Sequence, residues 1–129
     1  MATILVLDDV SASGVMVQRI LSRKGHLVHA FFDEDEALRF AKSEEVDLAV
    51  LDMKLRKMEG VEVLAELRKL QPTIRCIMLT GYPTADSVER ALGQGAAAYC
   101  VKPVEKQELE ETVAAVLADG AAQADLLLR

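Results

Sequence analysis

No uncharged apolar stretch in this sequence of 129 residues approaches the roughly 20 residues that a membrane-spanning helix requires. The opening Met1-Ala2-Thr3-Ile4 runs into Asp8 without the basic region and small-residue cleavage site of a secretory signal, so a cytoplasmic location is expected. Positive charge is scarce: 15 Lys and Arg stand against 21 Asp and Glu, a formal net charge of −6. That balance argues against direct nucleic-acid binding, which draws its affinity from neutralising phosphates. Cys76 and Cys100 lack any CxxC spacing and fall inside predicted strands, which makes them small buried apolar residues in a reducing compartment rather than a disulfide or zinc ligands. Neither a GxxxxGK-Ser/Thr loop nor a GxGxxG opening a helix is present, so nucleotide binding is not expected. There is no internal repeat, low-complexity tract or linker before residue 120.

What is there is a globular composition, 51% hydrophobic and 28% charged, on a length suited to one domain with one core. The expected domain spans 1–120. Residues 121–129 extend the last helix, begin a linker to an output domain, or pack elsewhere on the surface, and the sequence does not choose among these. Strands are predicted near 3–8, 26–32, 47–52, 74–80 and 97–101, as continuous Ile/Leu/Val runs rather than alternating ones, the pattern of strands covered on both faces. Between them apolar residues recur at helical spacing: Val17, Ile20 and Leu21; Ala37, Leu38 and Ala41; Val63, Leu67 and Leu70; Ala85, Val88, Ala91 and Leu92; Leu109, Val113, Val116 and Leu117. Each set is expected to lay one stripe on the sheet. Gly25, Pro72, Gly93, Gly95 and Gly120 supply the stop signals. The expected fold is α/β, a doubly wound parallel sheet of five strands in the flavodoxin-like order 2-1-3-4-5 with five helices on its two faces.

Four of the apolar runs end on reactive residues: Ile4–Leu7 on Asp8-Asp9, Leu48–Leu51 on Asp52, Ile77–Leu79 on Thr80, and Ala98–Val101 on Lys102-Pro103. Parallel strands in that order bring these ends to one edge, where open α/β sheets bind ligands. Two like unit charges 4 Å apart cost roughly 4 kcal/mol at an effective dielectric of about 20. An acidic trio therefore calls for a cation. Lys102 supplies one charge, and all-oxygen ligands with room for water suit Mg²⁺. With the ion on Asp9 and Asp52, an Asp52 oxygen can attack phosphorus to form an acyl phosphate, while Lys102, the Thr80 hydroxyl and loop amides stabilise the transferred group. His26 and His29, flanking the second strand, are taken as structural. The acidic run Asp33-Glu34-Asp35-Glu36 is taken as complementing the dipole of the second helix.

These residues resemble the receiver domain of two-component response regulators over about residues 3–118. The likeness lies in Asp8-Asp9, Val50-Leu51-Asp52-Met53, Met58-Glu59-Gly60, Leu79-Thr80-Gly81-Tyr82 and Tyr99-Cys100-Val101-Lys102-Pro103. The resemblance implies that Asp52 accepts phosphate from a sensor histidine kinase or phosphotransfer protein, that Asp9 binds Mg²⁺ directly and Asp8 mainly through water, and that the Lys54 backbone carbonyl completes the ligands. It makes Thr80 and Tyr99 a switch pair that alters the surface of the fourth helix, fifth strand and fifth helix, which addresses an output domain or downstream protein, and it leaves room for a phosphorylation-dependent homodimer. It implies a cis peptide before Pro103. One departure stands out: Leu55-Arg56-Lys57-Met58 replaces the family's frequent Leu-Pro-Gly-Met, so Lys57 is expected in a backbone conformation that glycine adopts more easily, with Lys54, Arg56 and Lys57 tuning phosphoryl lifetime or kinase choice. The alternatives are a small Asp-dependent phosphohydrolase and a phosphorylation-independent interaction module. On the leading reading the chain is no enzyme beyond its own phosphorylation and dephosphorylation.

Overall fold

The computed structural model describes residues 1–118, so Gly120 and the expected tail 121–129 lie outside the described residues. Each apolar run forms a strand: β1 Thr3–Leu7, β2 Leu27–Phe31, β3 Leu48–Asp52, β4 Arg75–Thr80 and β5 Ala98–Val101. The helices between and after them are α1 Ser11–Arg23, α2 Glu34–Ser43, α3 Gly60–Leu70, α4 Ala85–Gly93 and α5 Lys106–Ala118. All strand pairs are parallel, in the order β2-β1-β3-β4-β5. This is the expected fold class.

The continuous apolar runs are explained by burial on both faces of the sheet. Strand side chains alternate between faces. Leu5, Leu7, Ala49, Leu51, Cys76 and Met78 pack with α2, α3 and α4 residues including Ala37, Ala41, Leu64, Leu67 and Ala91. Their neighbours Ile4, Val6, Leu48, Val50, Ile77 and Leu79 pack with Val17 and Leu21 of α1 and Leu109, Val113 and Val116 of α5. A fully buried leucine or isoleucine contributes roughly 1.5–3 kcal/mol. The register is therefore held firmly, since a slip of one residue would exchange the two faces.

Two stripes differ from expectation. Leu70 is exposed at the end of α3, and α4 buries only Ala91, with Val88 half-buried and Ala85 and Leu92 exposed. α4 has nine residues and lies toward the β5 edge, so little of it faces the sheet interior. Gly93 is the last residue of α4 rather than its stop; the reversal is made by Gly95, at φ 89°, a left-handed conformation that glycine adopts without steric cost.

Candidate functional site at the carboxyl edge of the sheet

The register aligns the strand ends. Leu7 pairs with Leu51, Asp52 with Leu79, and Thr80 with Val101, so the residues that follow emerge together. Asp8 leaves β1 with its backbone N–H on the Phe31 carbonyl at 3.2 Å, and its Oδ1 accepts the Val10 N–H at 2.9 Å, an Asx-type turn that starts α1. Asp8 and Asp52 are buried and Asp9 is half-buried. Each of the three offers a carboxylate oxygen, and these atoms lie within 4.8 Å of one another.

Lys102 reaches this cluster from the far side of β4. Its ammonium donates to Asp8 Oδ2 at 2.7 Å and to Asp52 Oδ2 at 3.2 Å, and its backbone N–H donates to the Thr80 carbonyl at 2.7 Å. The Lys102–Pro103 peptide is cis. Burial raises the Asp52 carboxyl above its usual range; Lys102 pulls it back and the Asp8 charge pushes it further up. Burial alone would lower the Lys102 ammonium, but its hydrogen bond to Asp8 and the charges of Asp52 and Asp8 leave it raised. When all are ionised, three carboxylates and one ammonium leave two negative charges, a balance and an all-oxygen donor set that fit one hard divalent cation.

Asp52 Oδ1 accepts the Lys54 N–H at 3.3 Å. The chain then makes a loop closed at its base by the Lys54·Glu59 bridge and the Gly60 N–H to the Met53 carbonyl at 2.8 Å. Gly60 is demanded by proximity: a Cβ there would stand 2.1 Å from the Asp52 carbonyl oxygen. Across the mouth, the Lys54 ammonium lies 5.4 Å from the centre of the exposed Tyr82 ring. Thr80 is buried, its hydroxyl accepting the Tyr82 N–H at 3.1 Å. Tyr99 is not in the cluster. It pairs with Met78, two residues before the strand end, and its hydroxyl shares a 2.9 Å hydrogen bond with Ser87 of α4.

Lys57 departs from expectation. Among the described residues no non-glycine residue has positive φ, so Lys57 does not take a glycine-like conformation. Its ammonium pairs with Asp33 and Asp35, at 2.8 Å each, and those hydrogen bonds raise it above its ordinary value. Of the acidic run, Asp33 caps α2 by accepting the Glu36 N–H at 3.1 Å, but Glu34 is buried and serves the loop instead. His29 lies within β2 rather than beside it, its ring 4.6 Å from that of Phe40, and His26 Nδ1 accepts the Ala2 N–H at 3.2 Å. Sequence reasoning missed Glu34 and Gln71. The Gln71 carboxamide donates to the Ala41 and Glu44 carbonyls, both at 2.7 Å, and accepts the Val46 N–H at 2.8 Å, tying the entry of β3 to the end of α3.

Residues 4–114 match the family described as the response regulator receiver domain. The transcriptional regulatory protein ZraR of Klebsiella oxytoca is 30% identical over 115 residues, 89% of this chain and 26% of ZraR, so the chain spans about a quarter of that relative's length. A CheY-like receiver domain protein from Methanospirillum hungatei JF-1 superposes with a TM-score of 0.87 at 33% identity, covering 98% of both chains. A response regulator from Burkholderia pseudomallei, crystallised with a phosphorylated aspartic acid, calcium ion and citrate, gives 0.83 at 31% identity over 99% of this chain and 74% of its own.

Proposed function

The chain belongs to the response regulator receiver domain family of two-component signalling, and from that membership we propose that Asp52 is its phosphoacceptor and that Asp8, Asp9, Asp52 and the Lys54 carbonyl hold Mg²⁺. The observation that carries this reading is the convergence of Asp8, Asp9 and Asp52 within 4.8 Å, with the Lys102 ammonium on two of them. Such an ion neutralises charge on the transferred phosphoryl group. An Asp52 oxygen attacks phosphorus in a phosphohistidine of a histidine kinase or phosphotransfer protein; the O–P bond forms as the P–N bond breaks, and the imidazole departs with the bonding pair and takes a proton from solvent. Lys102 transfers its hydrogen bond from Asp52 to a phosphoryl oxygen. The Thr80 hydroxyl donates to another, a contact formed only when phosphate is present.

That contact supports the switch. Thr80 moves toward phosphate, the Tyr99–Ser87 hydrogen bond is released, and the exposed surface around Leu92, Tyr99 and Val101 changes for an output domain or partner protein, with a second copy of the chain as one such partner. Among the described residues no helix is long and apolar enough to cross a membrane. Family membership supports the reading of a cytoplasmic signalling module that turns over no substrate besides its own phosphate. The test is incubation with acetyl phosphate and Mg²⁺ followed by intact mass. One phosphate adduct is expected, dependent on Mg²⁺ and absent in Asp52→Asn; an undiminished adduct in that variant overturns the assignment.

A further inference from the structure

The loop from Met53 to Glu59 contains no proline to fix a backbone φ, so its own backbone chemistry does little to limit its shape. Its base is fixed on Asp52 and Gly60. Its tip is held from outside, by Glu34, whose Oε2 accepts two successive backbone N–H groups, Lys57 at 2.5 Å and Met58 at 3.0 Å. Glu34 is 1% exposed. Burying a carboxylate is costly without such donors, and α2 does not need this one, because Asp33 already caps its first turn. Both donors come from the loop. The Lys57 ammonium doubles the attachment on Asp33 and Asp35.

We infer that Glu34 is a positioning residue for the phosphoryl-transfer site: by clamping the loop tip to α2 it sets the course of the loop whose other end carries the Lys54 N–H on Asp52 Oδ1 and the Lys54 carbonyl. The inference rests on the Mg²⁺ site proposed above. A proline would stiffen such a turn from within, and a buried anion does so here from the neighbouring helix. Without Glu34, two adjacent part-buried N–H groups lose their acceptor, and the loop must change course to find water for them.

The test measures Mg²⁺ affinity by titration calorimetry and amide exchange by NMR on the full chain as wild type, Glu34→Ala and Glu34→Gln. Residues that orient metal ligands from outside the coordination sphere change affinity 10–100-fold when removed, and for Glu34→Ala the expected weakening is roughly tenfold. Faster exchange at Lys57 and Met58 is expected with it. Glu34→Gln keeps an acceptor oxygen and should fall between. A lower melting temperature with unchanged Mg²⁺ affinity in Glu34→Ala, or in Glu34→Gln where the alanine variant does not fold, assigns a merely structural role and overturns the inference. Failure of the wild type itself to bind Mg²⁺ removes the site reading and this inference together, and the two failures are told apart by that wild-type titration.

Discussion

Replacing Lys102 by methionine separates two effects of opposite sign. The lysine ammonium stands between Asp8 Oδ2 and Asp52 Oδ2, on side chains 2% and 11% exposed, and is itself 21% exposed. Without it the carboxylates face each other with oxygens no more than 4.8 Å apart. At an effective dielectric of about 20 their repulsion is about 3 kcal/mol, which agrees with the 3–5 kcal/mol usual for removing one partner of a buried ion pair. Lys102→Met should therefore lower stability at pH 7 without Mg²⁺ by about 3 kcal/mol, roughly 10 °C in melting temperature for a domain of this size. Asp52 titrates above the ordinary 3.8 because of burial, and losing Lys102 raises it further. A carboxyl whose folded pKa exceeds its unfolded one costs stability as pH rises from the unfolded value through the folded one. The gap between wild type and variant should accordingly be small near pH 4 and full at pH 7. The variant site also carries one more negative charge, so Mg²⁺ should bind it more tightly and narrow the gap. Urea unfolding at both pH values, with and without Mg²⁺, measures all of this. A gap equal at pH 4 and pH 7, or weaker Mg²⁺ binding in the variant, refutes the electrostatic account.

Gly60→Ala places a Cβ against the Asp52 carbonyl and the Met53 Cα, backbone atoms that cannot step aside, and should cost about 3 kcal/mol or more in urea unfolding; an unchanged midpoint contradicts the close approach. Gln71→Ala removes three hydrogen bonds joining α2, β3 and α3 and should cost about 2–3 kcal/mol while Mg²⁺ affinity stays at the wild-type value, which calorimetry checks. Burial pushes the Cys76 thiol up to about 12 and raises that of Cys100 as well, so a disulfide reagent at pH 8 should find no fast thiol in the native protein and two after denaturation. A rapidly reacting native thiol would contradict the burial of both.

The sheet was legible because burial on both faces writes itself into sequence as unbroken apolar runs. All five predicted strands recur with ends trimmed by about one residue, and the stripes of α1 and α5 face one side of the sheet as their spacing requires. The cluster was legible for a related reason. In a parallel sheet every strand points the same way, so residues that follow successive runs must meet at one edge however far apart in sequence; Lys102 and Asp8 touch across 94 positions. The failures are of another kind. α4 carries a helical stripe on paper, yet its place near the sheet edge leaves Ala85 and Leu92 without cover, and a period cannot report what lies opposite it.

Glu34 and Gln71 show what a finer reading of the same stripes contains. An acid in the first turn of a helix is worth 0.3–1 kcal/mol to the macrodipole whichever way it points, so charge alone cannot tell Glu34 from Asp35. Position can. Glu34 stands three residues before Ala37 and seven before Ala41, on the buried face of α2, whereas Asp35 lies one position round the helix in solvent. Gln71 likewise continues the line Val63–Leu67 by one more turn at the end of α3. A long polar side chain at an apolar position must find partners inside, and here those partners are backbone groups at the end of α2 and in the connections that lead into β3 and α3. The same rule that locates the core thus locates its exceptions, and at both exceptions the polar group holds a connection that has no regular structure of its own to hold it.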